Sequence, residues 1–308
     1  MEKIAAINIS IVLYKTDPHQ LIKAISSILN ESIAVKILYI IDNSPTDKLR
    51  KYCAHKSIIY IHTGVNLGYG SGHNIALARS IEENVDYHLV MNPDIFFQKG
   101  TLSSIADFMD SNPDIGQVMP TVLYPDGEMQ HLCKLLPTPS DLIIRRFSPF
   151  KKWKEAKNHL YEMRFTGYKK QMDVPSLSGC FMFLRVETLK KAGLFDRRFF
   201  MYLEDLDLTR RVAEAGRTVY WPGVHIFHEY GKGSYKSPRM LFYHIFSAFA
   251  YFNKWGWFAD NKRIMINNQT LSALKPYIIH DVTNEGSLVE VFDLMDSQLQ
   301  QVIQEEAV

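Results

Sequence analysis

Short apolar runs rich in β-branched residues alternate with helical patterns over the first 120 residues, and this alternation constrains the fold more than any other feature. Five runs have the length and composition of strands: 7–14, 35–41, 57–61, 87–91 and 115–119. Segments with helical periodicity separate them, including 18–30 and 69–83. Strands that alternate with helices form a mostly parallel sheet with helices on both faces. The sequence therefore predicts an α/β fold.

Composition indicates an ordinary globular protein. The 308 residues are 46% hydrophobic and 22% charged, and the net charge of +2 argues against a nucleic-acid partner. Three scattered cysteines (Cys53, Cys133 and Cys180) lack metal or disulfide spacing and indicate reduced thiols. The start has no signal-peptide pattern, and no run approaches the roughly 18 apolar residues of a membrane span. We expect a cytoplasmic protein, with peripheral contact to the inner face of the cell membrane left open.

Polar segments follow four of the predicted strands. They are Lys15-Thr16, Asp42-Asn43, the glycine-rich 66–72 and Asn92-Pro93-Asp94. Strands must end in turn residues, so one such segment carries little information. In open parallel sheets, ligands bind beyond the carboxyl ends of the strands, and four polar ends together predict a nucleotide-sized site. The glycine-rich segment is neither a dinucleotide fingerprint nor a P-loop, but it brings backbone close to a ligand.

Two side chains could hold a divalent cation at this edge. Asp94 ends a buried strand, and Mg²⁺ or Mn²⁺ takes oxygen ligands, few of them from protein. His228 closes a later strand and could be a second ligand, while Lys232 and Ser234 in the following loop could bind phosphate. Considered alone, an Asx-Pro turn at Asp94 and a structural role for His228 are the more common explanations. Both explanations stay open at this point.

An acidic pair, Glu204-Asp205, opens a predicted helix directly after the apolar and aromatic run 199–203. Helix starts favour acids because free N–H groups and the helix dipole stabilise negative charge, so capping is the ordinary explanation. A carboxylate at a buried helix start also has a fixed direction and an adjustable pKa, as a general base requires. Asp207 lies elsewhere on the helix and is expected to orient neighbouring groups.

The pattern changes after about residue 120. A hairpin is predicted around Pro125-Asp126-Gly127, and residues 134–172 form a basic and aromatic insertion without clear periodicity. That insertion is either a solvated loop or a flap that contacts an anionic or lipid-linked substrate. Strand patterns return at 178–184, 218–221 and 224–228, with helices predicted at 186–192 and 204–215.

Residues 237–308 are predicted to form a C-terminal helical extension. The segment 239–258 is aromatic on most faces of a helix, which indicates either deep burial or a bed on a membrane surface. The acidic tail has a helical pattern at 287–306 that would cap the fold or mediate formation of a homo-oligomer. The expected organisation is one domain at 1–236, with halves at about 1–120 and 121–236, followed by this extension.

The order of these motifs resembles the inverting family-2 glycosyltransferases with the GT-A fold, a Rossmann-like architecture, and especially their bacterial rhamnosyltransferase-like branch. The resemblance covers about residues 5–236. The matching segments are 12–15, 41–44, 66–70, 92–94, 178–182, 193–196 and 204–211, followed by His228, Gly231 and Ser234. Asn92 stands where many members of the family have aspartate.

The resemblance implies a role for each candidate residue. Asp42 is implied to contact the nucleobase of a nucleotide-sugar donor, and Asp94 to stand at the metal-binding end of the DXD-type motif. Asp205 matches the general base, Glu204 the adjacent acceptor-side acid, and His228 a histidine near the metal and diphosphate. The implied donor-binding residues are Tyr14, Asp42, Asn66, Gly68, Tyr69, Asn92, Lys232 and Ser234.

The resemblance also implies the reaction. A sugar, best guessed as L-rhamnose, would pass with inversion from a dTDP- or UDP-sugar to a lipid-linked saccharide in bacterial surface polysaccharide synthesis, assisted by Mg²⁺ or Mn²⁺. One alternative is a sugar-nucleotide nucleotidyltransferase, which usually has a glycine-rich basic loop where this chain has Tyr14-Lys15-Thr16. Another is a catalytically silent saccharide-binding scaffold, which would not need the acidic pair or Asp94.

Overall fold

The computed structural model describes residues 5–33, 35–142, 151–229 and 238–278. These residues contain eleven strands: β1 (Ile7–Leu13), β2 (Val35–Asp42), β3 (Ile58–His62), β4 (Tyr87–Met91), β5 (Ile95–Phe97), β6 (Ile115–Leu123), β7 (Cys133–Lys134), β8 (Met172–Asp173), β9 (Ser176–Leu177), β10 (Phe181–Arg185) and β11 (Arg217–His228). Nine of them form one sheet in the order β3-β2-β1-β4-β10-β6-β11-β5, with β8 paired to β11, while β7 pairs with β9 separately.

Most strands of the large sheet point the same way. Strands β1 to β4, β6 and β11 share one direction, whereas β5, β8 and β10 run against them. The helices of the same residues include α1 (Pro18–Leu29), α2 (Tyr69–Glu82), α3 (Thr101–Asp110), α4 (Lys151–Tyr161), α5 (Val186–Ala192), α6 (Glu204–Val212), α7 (Pro238–Trp255) and α8 (Asn261–Ile278). Helix α1 packs against β5, α2 against β1, and α3 against β11. The expected α/β fold with a mostly parallel sheet flanked by helices is confirmed.

The structure joins two predicted strands into one. Strand β11 continues through Pro222 and Gly223, where the sequence pattern indicated an interruption. Its register against β6 shifts between Trp221 and His225, because a proline has no N–H to give to the ladder. At its end, His228 pairs with Ile95, the residue that follows Asp94. Strand pairing therefore brings two distant candidate residues together.

A chain of buried polar side chains crosses the core between β1, β4 and α2. Ser10 Oγ lies 2.7 Å from His73 Nδ1 and 2.8 Å from His88 Nε2, and His88 Nδ1 lies 2.7 Å from Ser80 Oγ. Burial lowers the pKa of His88 to about 3, which keeps its imidazole neutral. Because both histidines hydrogen-bond, the network fixes α2, whose first turn belongs to the site, on the sheet.

Part of the basic and aromatic insertion belongs to the core. Helix α4 and the 3₁₀ helix Arg164–Thr166 lie within residues 134–172. Four large side chains of this segment are buried: Tyr161, Met163, Phe165 and Tyr168. The interpretation as a solvated loop is therefore wrong for residues 161–168, because burial of such apolar area stabilises an ordered segment. Residues 143–150 lie outside the described part.

The two C-terminal helices pack against the rest of the chain. Tyr251 and Phe252 of α7 share an apolar cluster with Phe199 and Leu206, and α8 adds Leu271 and Leu274 to the main core. No helix of the described residues is long and apolar enough to cross a membrane. The division into a domain at 1–236 and an extension at 237–308 stays a prediction.

Two of the predicted features lie outside the described residues. Lys232 and Ser234 fall within 230–237, and the predicted tail helix at 287–306 falls within 279–308. Their assigned roles stay predictions.

Candidate active site

A cavity of about 1320 Å³ lies beyond the carboxyl ends of β1 and β4. Nine of the predicted site residues line it: Tyr14, Asn66, Gly68, Tyr69, Asn92, Asp94, Glu204, Asp205 and His228. Strand β1 ends one residue before Tyr14 and β4 one residue before Asn92, so the sheet aims both residues at the cavity. The fold therefore gathers residues from both halves of the chain into one space, at the edge where parallel sheets bind ligands.

Asp42 is fully buried and is not among the residues that line the cavity. Its carboxylate accepts hydrogen bonds from Ser44 N (2.8 Å) and from the Tyr60 hydroxyl (2.5 Å). The neighbouring Asn43 does line the cavity, and its Nδ2 donates to Gly68 O (3.1 Å). The nucleobase contact assigned to Asp42 stays a prediction, and its observed contacts fix the loop that carries Asn43.

Asp94 and His228 face each other in the cavity wall, where His228 Nε2 lies 3.4 Å from Asp94 Oδ1. Gln130 fixes the imidazole on its other side. His228 Nδ1 lies 2.9 Å from Gln130 Oε1, while Gln130 Nε2 donates to His228 O (2.9 Å). The second contact sets which end of the amide is the acceptor, so Nδ1 is assigned as the donor to Oε1. The nitrogen that faces Asp94 is therefore the one that carries the lone pair in a neutral imidazole.

This pair of side chains fits a divalent cation. Asp94 Oδ1 is buried and has no hydrogen-bond partner among the described residues. A buried acceptor without a donor is costly, and a cation placed beside it removes that cost. A histidine whose other ring nitrogen donates to an oxygen is also the usual form of a metal ligand. The described residues contain no group of three or more His, Cys, Asp or Glu that could enclose a metal, so phosphates and water would complete its coordination.

Asp205 occupies the first turn of α6, and two backbone N–H groups fix its carboxylate. Gly179 N donates to Oδ2 (2.7 Å), and Leu206 N donates to Oδ1 (2.9 Å). A Cβ on Gly179 would lie 2.8 Å from Asp205 Cβ, closer than real side chains approach, so this contact requires glycine. Each carboxylate oxygen keeps a lone pair for a further partner. An anion with a fixed direction in a cavity wall has the geometry of a general base.

Glu204 is the buried neighbour of Asp205. Its Oε2 has no hydrogen-bond partner in the part of the chain that the structure describes. Burial raises the pKa of Glu204 well above its ordinary value, and the adjacent Asp205 carboxylate raises it further. These effects favour the protonated form of Glu204, which can donate a hydrogen bond, beside an Asp205 that can only accept one when ionised.

Strained backbone aims both acids. Tyr202 and Leu203, directly before α6, have φ of 70° and 65°, in the left-handed region that L-residues rarely adopt. Leu203 is the N-cap and makes no side-chain capping bond, so neither acid occupies the cap position. Consecutive left-handed residues that are not glycine cost about 1–2 kcal/mol each. Such strain is concentrated at functional sites, where the surrounding structure enforces it.

The glycine-rich segment 66–72 is connected to Asp205 through Gly179. Gly68 has φ of 84°, and a Cβ there would lie 2.3 Å from Phe200 O, which accepts a hydrogen bond from Tyr69 N (3.1 Å). The Tyr69 hydroxyl donates to Gly179 O (2.5 Å), on the same residue whose N–H holds Asp205. Movement of this segment would therefore displace the carboxylate.

Asp207 does not line the cavity. It is fully buried and accepts hydrogen bonds from Arg211 Nη2 (2.8 Å) and Trp255 Nε1 (2.8 Å), with Lys254 Nζ at 2.6 Å. It thus ties α6 to α7, in agreement with the expected orienting role.

The candidate site also contains residues to which the sequence assigned no role. Gln130 had no local signal, because its contact with His228 exists only after β11 has folded beside the 121–132 hairpin. Gly179 and Asn43 lay inside recognised motifs, and a glycine beside a predicted buried strand is a recognisable sign of close backbone approach.

Comparison with known proteins gives the family. The family model described as Glycosyl transferase family 2 matches residues 9–193, more than half of the chain. The chain therefore belongs to glycosyltransferase family 2, and it is a glycosyltransferase, as the motifs led us to expect. The matched range ends before α6 and His228, so the roles of those site residues stay predictions.

Two relatives are rhamnosyltransferases. The N-acetylglucosaminyl-diphospho-decaprenol L-rhamnosyltransferase of Mycobacterium tuberculosis (strain H37Rv) is 26% identical over 250 residues, which cover 74% of this chain and 77% of that protein. Rhamnosyltransferase WbbL of Escherichia coli (strain K12) is 28% identical over 237 residues, 73% of this chain and 83% of that protein. The expected rhamnosyltransferase-like branch is confirmed.

Solved structures show the same fold. A crystal structure of GalNAc-T7 with UDP, GalNAc and Mn²⁺ matches with a TM-score of 0.55 and 12% identity, over 74% of this chain and 43% of that one. A crystal structure of S. aureus TarS matches with a TM-score of 0.51 and 15% identity, over 74% and 37%. This chain thus spans less than half of either protein, and the likeness supports the GT-A fold alone.

Proposed function

We propose that this chain transfers a sugar, with inversion at its anomeric carbon, from a nucleotide-sugar donor to a hydroxyl of a lipid-linked saccharide in bacterial surface polysaccharide synthesis. One observation carries the proposal. The fixed carboxylate of Asp205 and the facing pair of Asp94 and His228 line the same cavity. A direct displacement requires a base for the acceptor hydroxyl and a cation for the leaving diphosphate, and these side chains would supply the base and the cation-binding site.

In this mechanism Asp205 accepts the proton of the acceptor hydroxyl. The oxygen forms a bond to C1 of the donor sugar as the bond between C1 and the diphosphate oxygen breaks, and the diphosphate leaves with the electron pair. Attack from the face opposite the nucleotide inverts C1. Glu204, which is favoured in its protonated form, donates a hydrogen bond to the acceptor and does not compete for the proton.

Asp94 and His228 would hold Mg²⁺ or Mn²⁺. A bound cation would neutralise negative charge on the leaving diphosphate. Gln130 keeps the lone pair of His228 directed toward Asp94.

The proposed donor is dTDP-rhamnose or another dTDP- or UDP-sugar. Both rhamnosyltransferase relatives support the choice of sugar. Asp42 is assigned to the nucleobase, and Lys232 and Ser234 to the diphosphate. The other assigned donor contacts line the cavity: Tyr14, Asn66, Gly68, Tyr69 and Asn92.

The proposed acceptor is a saccharide carried on a lipid diphosphate. The name of the M. tuberculosis relative specifies N-acetylglucosamine on diphospho-decaprenol, which supports this class of acceptor. Such an acceptor is held in a membrane, so the enzyme would work in the cytoplasm at the inner membrane face.

The test measures transfer from a panel of dTDP-, UDP- and GDP-sugars to N-acetylglucosaminyl diphosphate carrying a short alkyl chain, with Mg²⁺, Mn²⁺ or a chelator. We expect one donor to be used in a metal-dependent manner, and proton NMR of the product to show an inverted anomeric centre. Asp205→Asn should lower kcat by about 10²–10⁴-fold with unchanged donor affinity, because only the proton acceptor is lost.

Asp107→Asn is the matched control, since Asp107 is an exposed acid on α3. It should leave kcat unchanged. Retained activity in Asp205→Asn would remove that residue as the base. Failure of every nucleotide sugar to bind the wild-type protein would overturn the proposed function.

A further inference from the structure

Helix α7 presents a row of apolar side chains to solvent. Their exposed fractions are large: Phe242 64%, Ile245 43%, Phe246 59% and Phe249 54%. Spacings of three and four residues place all four on one side of the helix, and the rings of Phe242 and Phe246 stack with centroids 6.4 Å apart. We call these four residues the exposed face of α7. A contiguous apolar patch of this kind marks an interaction surface.

The opposite side of α7 forms part of the wall near the acids. The ring of Tyr243 lies 4.6 Å from that of Phe200, and the ring of His244 lies 5.4 Å from that of Tyr202. His244 and Tyr202 both line the cavity. One helix, about 10 Å across, therefore separates the exposed face from the site. Whatever covers this face lies next to the space that the acceptor must enter.

The charges of the segment favour a lipid surface as the occupant. Residues 238–259 contain no Asp or Glu, and Arg239 is exposed in the first turn of α7. An apolar row with an exposed cation in its first turn and no acid along it is complementary to a bilayer with anionic headgroups. A symmetric contact with a second copy would use this patch on both subunits and would offer Arg239 no acidic partner from the helix.

We propose that the exposed face of α7 docks on an anionic lipid bilayer. The aromatic side chains would enter the boundary between headgroups and acyl chains, and the cavity would then open beside the membrane. The inference rests on the proposed function for the lipid-linked acceptor, but bilayer binding is measurable without any catalysis.

The experiment is co-sedimentation of the full-length protein with two kinds of vesicle, one of phosphatidylglycerol and phosphatidylethanolamine and one of phosphatidylcholine alone. We expect wild type to bind the anionic vesicles, and Phe242→Ser/Phe246→Ser/Phe249→Ser to bind them at least tenfold more weakly. Val65→Ser is the control, because Val65 is 60% exposed in a loop outside this face. It should bind as wild type does. Turnover of the soluble short-chain acceptor should stay within twofold in all three proteins.

Unchanged vesicle binding by the triple variant, or no binding by wild type, would overturn the inference. Analytical ultracentrifugation without vesicles gives the oligomeric state. A dimeric wild type and a monomeric triple variant would assign the face to a second copy instead. Circular dichroism checks folding, and the single variants Phe242→Ser and Phe249→Ser, each with a partial loss of binding, replace the triple variant if it unfolds. Vesicle binding without sugar transfer would overturn the proposed function and leave this inference standing.

Discussion

Helix α6 carries ionisable side chains at both of its ends, and the two sets have different surroundings. In the first turn, Glu204 is buried with an oxygen that lacks a hydrogen bond among the described residues, and Asp205 lines the cavity. In the last turn, buried Arg210 donates two hydrogen bonds of 2.8 Å to Asp260 and lies 4.1 Å from the centroid of the Trp255 ring. One helix therefore has acids toward the cavity in its first turn, which we call its open end. It has a buried ion pair toward the C-terminal helices in its last turn, which we call its closed end.

This difference shows how the fold holds reactive groups in place. Buried polar groups are normally paired, and an unpaired one costs stability. The ion-paired residues supply the rigidity that the acids need, because Arg210 in the last turn and Asp207 in the first turn fix α6 to the C-terminal helices while strain at Leu203 directs its start. The C-terminal helices are thus a support for the acids and, on their outer side, the proposed membrane contact.

Breaking the closed end should be severely destabilising. Arg210→Met deletes both hydrogen bonds from the guanidinium to buried Asp260 and leaves only Arg263, 3.9 Å away, as its cationic neighbour among the described residues, so we expect the free energy of unfolding in urea to fall by about 3–5 kcal/mol. Arg217→Met, which removes an exposed pair with Asp114 and Asp173, should cost at most about 1 kcal/mol. The double variant Arg210→Met/Asp260→Leu should recover only part of the loss, because buried Arg263, 3.9 Å from Asp260, then loses its acidic partner. Equal costs for the two single variants would contradict a structural role of the buried pair.

Removing the support of His228 should weaken metal binding. Gln130→Met keeps the size of the side chain and deletes both hydrogen bonds to His228, so the ring loses its fixed orientation. We expect Mn²⁺ affinity, measured by electron paramagnetic resonance, to fall about 10–100-fold. Gln98→Met, at an exposed position, is the matched control. Unchanged Mn²⁺ affinity in Gln130→Met would show that the amide does not orient a ligand.

The buried Glu204 at the open end should make the free energy of unfolding depend on pH. The pKa of Glu204 is raised on folding, so the native protein keeps a proton that the unfolded chain releases near pH 4.5. Stability must then fall as pH rises above that value toward the folded pKa, by up to about 1.4 kcal/mol per pH unit. Glu204→Gln has no such proton and should lose less stability between pH 5 and 8. The measurement is urea unfolding of wild type and Glu204→Gln across this pH range, with exposed Glu187→Gln as the control. Parallel pH profiles of wild type and Glu204→Gln would contradict the prediction.

Features that depend on local pattern could be predicted from the sequence. The start of α1 carries its own signals, because Asp17 accepts a hydrogen bond from His19 N and Pro18 fits the first turn. The polar ends of β1 and β4 were equally readable, since strand length and turn residues are local properties. Their convergence on one cavity then followed from the general rule for parallel sheets.

Features that depend on distant contacts could not be predicted in this way. The clamp of Gln130 on His228 joins residues 98 positions apart, and the pair of Arg210 with Asp260 joins residues 50 apart. Neither contact changes the local pattern of apolar and polar residues from which helices and strands are predicted. The left-handed residues Tyr202 and Leu203 were hidden for another reason: propensity disfavours that conformation, and tertiary packing overrides it.

The left-handed backbone before α6 should have the smallest effect on the free energy of unfolding, and this effect can be measured at Leu203. Leu203→Ala and Leu203→Gly both remove the same packing, so their difference reports the backbone alone. In ordinary helical backbone alanine is the more stable of the two by about 0.5–1 kcal/mol. At a φ of 65° the order should reverse, with Leu203→Gly more stable in urea by about 1 kcal/mol, because glycine has no Cβ to clash. If Leu203→Ala is the more stable variant, the left-handed turn is not strained, and the placement of Glu204 and Asp205 must be attributed to packing alone.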